Sequence, residues 1–152
     1  AGSAGRRDIA AEDFFEDYLT TTLAEGEVVA AVRLPKSPVG ATGVYEKFTR
    51  VHGDYATLSV AVMLAMKGGN CSFVRIALGA AGPKPIRVKA AEALLIGSEL
   101  DGEAIAAASQ LLAEASDPVD DVRGSADYRL ILVPRLLSRA LANARSQVEG
   151  AA

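Results

Sequence analysis

The order of apolar patterns along the chain predicts an α+β fold, a small antiparallel three-stranded sheet covered by helices. Three observations carry this. Residues 44–80 contain three strand-like runs separated by glycine-bearing turns. Residues 88–146 contain three alanine- and leucine-rich runs with helical spacing. The strands precede the helices instead of alternating with them, which separates this pattern from a parallel α/β one.

Residues 1–5 are small and read as a frayed end. A short helix is expected over 12–18, where Phe14, Phe15 and Tyr18 fall at i, i+1 and i+4. Three threonines lead to a turn at Glu25-Gly26-Glu27, and 28–34 reads as a strand closed by Pro35. Residues 36–43 carry Pro38, Gly40 and Gly43 and form the best boundary in the chain. It divides the sequence into 1–40 and 41–150, either as true subdomains or as an N-terminal arm on one domain.

The first sheet strand is expected over 44–49, where Tyr45, Lys47 and Thr49 alternate with Glu46 and Phe48. Tyr45 is expected to pack in the core. Residues 50–55 are a polar loop with Gly53, at which a larger residue is expected to be strained. The second strand, 57–67, is apolar on both faces, as a central strand should be. Gly68-Gly69 makes a hairpin turn into the third strand, 71–80. There Phe73, Arg75 and Ala77 face one way and Val74, Ile76 and Leu78 the other. Gly82, Pro83 and Pro85 break regular structure. A helix over 88–96 stops at Gly97. Asp101 caps a second over 102–115, and Ser125 caps a third over 126–146. Pro134 is expected to kink the last one near Leu130.

At 152 residues the chain suffices for one good core, and with half its residues hydrophobic it is not a disordered protein. A net charge of -3, a pI near 5.2 and no basic run interleaved with aromatics argue against a nucleic-acid binder. The longest apolar run, 60–66, is far short of a membrane span. Arg6-Arg7 is followed by acids, so no signal peptide is expected and a cytoplasmic location is the default. The single cysteine, Cys71, cannot form an internal disulfide or build a metal site, and with no activating partner it reads as a packing thiol.

The stretch 45–56 gathers two tyrosines, a phenylalanine and the only histidine around Gly53. His52 and Asp54 could form an acid–base pair, but with no nucleophile nearby they read more simply as a solvated loop. The acids of 117–121 lack the spacing of a calcium loop, so no metal site is assigned. Gly79-Ala80-Ala81-Gly82 lacks the lysine of a phosphate cradle. Arg123, Tyr128 and Arg129 either anchor the start of a helix or dock a partner. No residue is assigned a catalytic role.

The stretch also carries a resemblance. Tyr45, Lys47, Arg50 and Gly53-Asp54-Tyr55-Ala56 resemble the flavin-facing loop in the FAD-binding (medium) subunit of the molybdenum hydroxylases, the family of CO dehydrogenase and xanthine dehydrogenase. Upstream, Asp13-Phe14-Phe15, Tyr18, Thr21-Thr22-Leu23, Gly26-Glu27 and Val32-Arg33-Leu34-Pro35 match in order. Downstream, so do Arg75-Ile76-Ala77-Leu78-Gly79, Gly82-Pro83, Pro85, Ala91-Glu92-Ala93-Leu94, Gly97, Asp121, Arg123-Gly124-Ser125-Ala126, Tyr128-Arg129 and Arg139-Ala140-Leu141. Each piece is weak, whereas the ordered set over about 10–146 is specific. Pro134 departs from the small residue usual there.

The resemblance implies the C-terminal part of such a subunit: the tail of an FAD-binding subdomain over 1–40, then a CO dehydrogenase flavoprotein C-terminal-like domain over 41–150. It implies FAD as cofactor, with Tyr55 against the flavin ring, Lys47 supplying positive charge, Asp54 near the ring edge and Val29 lining the site. The family's glycine-rich FAD loops are absent from this chain. Expected partners are an N-terminal FAD-binding half, a molybdenum-binding large subunit with its molybdenum cofactor, and a small subunit with [2Fe–2S] clusters. The implied role is electron relay from those clusters through FAD to a final acceptor, within an oxidoreductase complex and not as a stand-alone catalyst. Val51 and His52 depart from the basic pair of xanthine-type relatives, so the acceptor is not assigned. The alternative is a cofactor-free interaction module of the same fold. A weaker third is an independent enzyme using His52 and Asp54. Phe14, Phe15 and Tyr18, with few apolar partners of their own, are expected to mark a contact surface.

Overall fold

The computed structural model describes residues 1–150. The chain divides into two compact units, Ala1–Ser37 and the remainder from Pro38.

In the first unit, α1 (Ala11–Phe14) is a single turn, and β1 (Phe15–Asp17) pairs antiparallel with β2 (Thr20–Thr21). The helix expected over 12–18 therefore does not form. Ala10 offers no side-chain cap, and one isolated turn is below the length that sustains a helix. The Asp17 carboxylate instead accepts the Tyr18 N–H at 2.7 Å, and Leu19 turns the chain back with φ 52°. The strand expected over 28–34 is also absent. Val28 exchanges two backbone hydrogen bonds with Ala1, at 2.8 and 2.9 Å, and no ladder continues from there. The unit is tied by Arg7, which makes a two-point ion pair with Glu27 at 2.9 and 2.7 Å and also donates to the Thr22 carbonyl. Phe14 and Phe15 meet edge to face at 5.0 Å, and Phe15 and Tyr18 are exposed.

In the second unit, β3 (Thr42–Phe48), β4 (Leu58–Lys67) and β5 (Asn70–Gly79) form an antiparallel sheet in the order β3-β4-β5. The central place of β4 follows from its apolar character on both faces. Gly68 and Gly69, at φ 60° and 84°, make the tight β4–β5 turn that requires left-handed residues at both positions. One face carries Val44, Glu46 and Phe48, then Leu58, Val60, Val62 and Leu64, then Val74, Ile76 and Leu78, in matched cross-strand register. This face packs against α4 (Ala126–Gly150), while α2 (Lys89–Leu95) and α3 (Gly102–Glu114) complete the helical layer. Leu95, Leu112, Leu137 and Leu141 fill the core between them.

Asp101 accepts the N–H groups of Glu103 and Ala104 at 3.0 and 2.9 Å, capping α3 as its sequence position predicts. Ser125 Oγ accepts the Tyr128 N–H at 3.2 Å at the start of α4. Pro134 does not interrupt α4, which is helical from Ala126 to Gly150. The proline is on the exposed side, so the Leu130 carbonyl it leaves unpaired can turn toward water.

Two carboxylates, one buried and one partly buried, are paired. Glu92, 2% exposed, accepts from Arg87 Nε and an Arg87 terminal nitrogen at 2.7 and 2.8 Å and from the Ile76 N–H at 3.0 Å. Glu46, at the sheet edge, is bridged to α4 by Arg139 at 2.8 Å and Asn143 at 2.5 Å. Cys71 lies in the core, where burial raises its thiol pKa, consistent with a packing role. No helix among the described residues is long and apolar enough to cross a membrane.

Candidate functional site

The loop between β3 and β4 is closed at its neck by the Thr57 N–H, which donates to the Phe48 carbonyl at 2.8 Å. Inside it, the Asp54 N–H donates to the Val51 carbonyl at 3.1 Å, forming a turn over 51–54. Gly53 does not have a left-handed φ, and a β-carbon placed on it would meet no atom within 4 Å. The strain expected for a larger residue there is therefore not imposed by this backbone.

Lys47 shapes this loop. Its side chain leaves the strand on the face opposite Glu46 and Phe48 and donates from Nζ to the carbonyls of Asp54 and His52, at 3.0 and 3.2 Å. Two of its three donors are thus spent on loop backbone. Its charge stands beneath Asp54 and Tyr55 and fixes the path of the chain that presents them.

The Tyr55 side chain is exposed, whereas Asp54 is partly buried among its neighbours. Asp54 Oδ1 accepts the Tyr55 N–H at 2.8 Å and lies 3.6 Å from Arg123 Nε, while Oδ2 lies 3.4 Å from Arg50. The Tyr55 N–H, with Arg123 and Arg50 adding positive charge, holds the Asp54 carboxyl below the usual carboxylate range despite some desolvation. The Tyr55 ring is 79% exposed. The Arg123 guanidinium sits over it at 5.1 Å from the centroid, within cation–π range. With one face so occupied and the rest open, the ring can receive a planar aromatic group against its free side.

The connection before α4 buttresses the loop. Arg129, 4% exposed, donates to the carbonyls of Thr57 at 2.6 Å and Ala80 at 3.2 Å and pairs with Asp121 at 2.5 Å. Asp121 also accepts the Arg123 N–H at 2.7 Å, which with the Arg129 charge lowers its pKa. The Thr57 hydroxyl donates to the Arg123 carbonyl at 3.3 Å. A β-carbon on Gly124 would lie 3.1 Å from Tyr128 Cδ1 and 3.3 Å from Thr57 Cγ2, so close approach favours glycine here. Phe48 and Tyr128 meet edge to face at 6.3 Å beneath.

Of the four residues expected to face a cofactor, Lys47, Asp54 and Tyr55 are therefore gathered in one loop. Val29 belongs to the first unit and is 55% exposed. His52 contributes its carbonyl to Lys47, while the Asp54 carboxylate is engaged by Tyr55, Arg50 and Arg123 and not by an imidazole. Tyr45, expected to pack in the core, is 65% exposed on the sheet face opposite Val44 and Glu46. Strand alternation puts it there, because Glu46 takes the helix-facing position through its ion pair with Arg139. The sequence marks Arg123 as a helix anchor or partner contact, but carries no signal for its contact with Tyr55, which lies far away along the chain. Among the described residues there is no cluster of three or more His, Cys, Asp or Glu able to hold a metal ion.

Comparison with known proteins bears on the family and the fold. Residues 43–144 match the family model described as the CO dehydrogenase flavoprotein C-terminal domain. The chain is 35% identical over 148 residues to the carbon monoxide dehydrogenase medium chain of Afipia carboxidovorans, covering 97% of this chain and 51% of that protein. It is 41% identical over 140 residues to the nicotine 6-hydroxylase medium subunit of Paenarthrobacter nicotinovorans, covering 92% and 49%. A crystal structure of the cyanide-inactivated Cu,Mo-CO dehydrogenase superposes with a TM-score of 0.92 at 36% identity, over 95% of this chain and 51% of that one. The chain thus spans about half the length of the relatives it matches. It belongs to the CO dehydrogenase flavoprotein C-terminal domain family.

Proposed function

We propose that this chain is the C-terminal part of the FAD-binding subunit of a molybdenum hydroxylase, where it helps to hold FAD and to relay electrons from iron–sulfur clusters to a final acceptor. The observation that carries the proposal is the Tyr55 ring, held on one side by Arg123 and open on the other, in a chain of this family. Bound FAD would supply the capacity to accept and release electrons singly or in pairs. This chain's residues would orient it: Tyr55 by ring contact, Asp54 as a hydrogen-bond acceptor beside it, and Lys47 by fixing the loop and adding local positive charge. Val29, in the first unit, is proposed as an aliphatic cofactor contact.

No glycine-rich pyrophosphate loop is present in this sequence, so the residues here fit only part of an FAD site. The reading therefore requires an N-terminal FAD-binding half. It also requires a molybdenum-binding large subunit, in keeping with the Cu,Mo-CO dehydrogenase likeness, and an iron–sulfur small subunit. A cytoplasmic location for that assembly is part of the proposal.

The test is to purify this chain with and without an N-terminal FAD-binding half and to record the visible spectrum. A flavin spectrum only in the joined preparation is expected. No flavin in either would favour the cofactor-free interaction module, and substrate turnover by the isolated chain would overturn both.

A further inference from the structure

We propose that Arg123 is a positioning residue that sets the orientation of the Tyr55 ring, so that the connection before α4 governs how the β3–β4 loop presents its aromatic. The inference rests on the reading of Tyr55 as the flavin-facing ring. Tyr55 is 79% exposed, and an exposed tyrosine on a polar loop ordinarily moves among rotamers quickly. Here its neighbour in space is a guanidinium whose own freedom is small. Arg123 Nε lies 3.6 Å from Asp54 Oδ1, and a terminal nitrogen lies 3.4 Å from Asp121 Oδ2.

The Arg123 backbone is held as well. Its N–H donates to Asp121 at 2.7 Å, and its carbonyl accepts from Thr57. Asp121 is in turn paired with Arg129, which grips the Thr57 carbonyl. A continuous set of polar contacts thus runs from the start of α4 to the residues on either side of Tyr55-Ala56. The Nε atom is buried and makes no hydrogen bond, so the guanidinium faces Asp54 by charge alone, with the Tyr55 ring and Asp121 as its other neighbours. Only a planar cation suits all three. An ammonium could satisfy one carboxylate but could not lie flat on the ring while facing both.

The experiment uses two preparations. In this chain, 3-fluorotyrosine labelling gives a fluorine NMR signal for Tyr55, assigned by its loss in Tyr55→Phe. Arg123→Gln is expected to shift and narrow that signal, as a freed ring would, and Arg123→Lys to restore it only in part. In the complete FAD-loaded subunit, Arg123→Gln is expected to weaken flavin retention about two- to fivefold, the size of an exposed cation–π contact. In a Tyr55→Ala background the same substitution should have no further effect, because its route is the ring. An unchanged fluorine signal in Arg123→Gln overturns the proposal. So does an equal loss of flavin with and without Tyr55, which would make Arg123 a direct flavin contact or a purely structural residue. If Tyr55→Ala alone leaves flavin binding unchanged, the flavin reading fails, while the fluorine result still decides whether Arg123 holds the ring.

Discussion

Arg129 donates to the carbonyl of Thr57 across 2.6 Å, joining the first turn of the last helix to the residue where the β3–β4 loop returns to the sheet. The guanidinium is buried and has a second carbonyl, that of Ala80, within 3.2 Å. Ala80 has φ 60°, unfavourable for a residue with a side chain, and the arginine helps to hold it there. Arg129→Met keeps the bulk and removes the donors to the Thr57 carbonyl, which is buried, and to the Ala80 carbonyl, which is partly so. It should cost about 2–4 kcal/mol, read as a lower denaturant midpoint at unchanged slope. Arg129→Lys should recover part of the loss, since an ammonium can reach one carbonyl but not both with Asp121.

Glu92 gives a prediction with a pH sign. Burial pushes its pKa up, but Arg87, the Ile76 N–H and Arg75 outweigh that, and the carboxyl stays below its ordinary value of 4.5. A group with a depressed folded pKa stabilises above its unfolded pKa and loses that contribution as pH falls through the folded one. Glu92→Gln should therefore cost about 1–3 kcal/mol at neutral pH, chiefly by weakening the hold on a buried N–H and on Arg87. The gap between wild type and variant should narrow as pH drops below the ordinary glutamate range. Urea melts at neutral and acidic pH would show this, and a gap that widens in acid would refute the role given to the carboxylate.

In the first unit the Arg7–Glu27 pair makes a comparable but local prediction. The Arg7 hydrogen bonds, then the Ala24 N–H, hold the Glu27 pKa at about 2 against an ordinary 4.5. The pair's contribution is therefore whole above about pH 4.5 and disappears as pH falls toward 2. A carboxyl carbon NMR titration should place the Glu27 midpoint near 2, and Arg7→Gln should return it toward 4.5. A wild-type midpoint near the ordinary value would mean that the ion pair does not persist in solution.

The legible parts of the fold are those with a strong local signal. The β4–β5 hairpin followed from Gly68-Gly69 between two apolar runs, and α3 from Asp101 ahead of Ile105, Ala108 and Leu112. The sequence expectation failed where pairing partners decide. Residues 28–34 are apolar enough for a strand, yet a strand exists only if a neighbour continues the ladder beyond Ala1 and Val28. Phe14, Phe15 and Tyr18 suit a helix, yet Asp17 and Leu19 turn the chain into a short hairpin instead. The site was half legible in the same sense. Gly53-Asp54-Tyr55 marks a presenting loop, but Arg123 lies far along the chain, and no periodicity reports which loop its guanidinium will cover.

The last prediction separates Tyr55 as a flavin contact from Tyr55 as an ordinary tyrosine. Its exposure means that truncation removes little buried area, so Tyr55→Ala should leave the denaturant midpoint of this chain nearly unchanged. In the complete subunit the same change should remove an aromatic contact worth on the order of 1 kcal/mol, roughly a fivefold loss of FAD affinity, with an altered flavin spectrum. Tyr55→Phe keeps the ring and should do much less. Tyr45→Ala is the matched control, since that side chain is exposed too but lies on the sheet and not in the loop. It should change neither flavin binding nor the spectrum. Lys47→Ala should behave differently from all three. It removes the two hydrogen bonds that fix the loop carbonyls as well as a positive charge, so it should weaken FAD binding with less sensitivity to salt than a purely electrostatic contact would show. If Tyr55→Ala lowers stability while leaving FAD affinity and spectrum untouched, the ring serves packing, and the flavin contact must be made by other residues of the subunit.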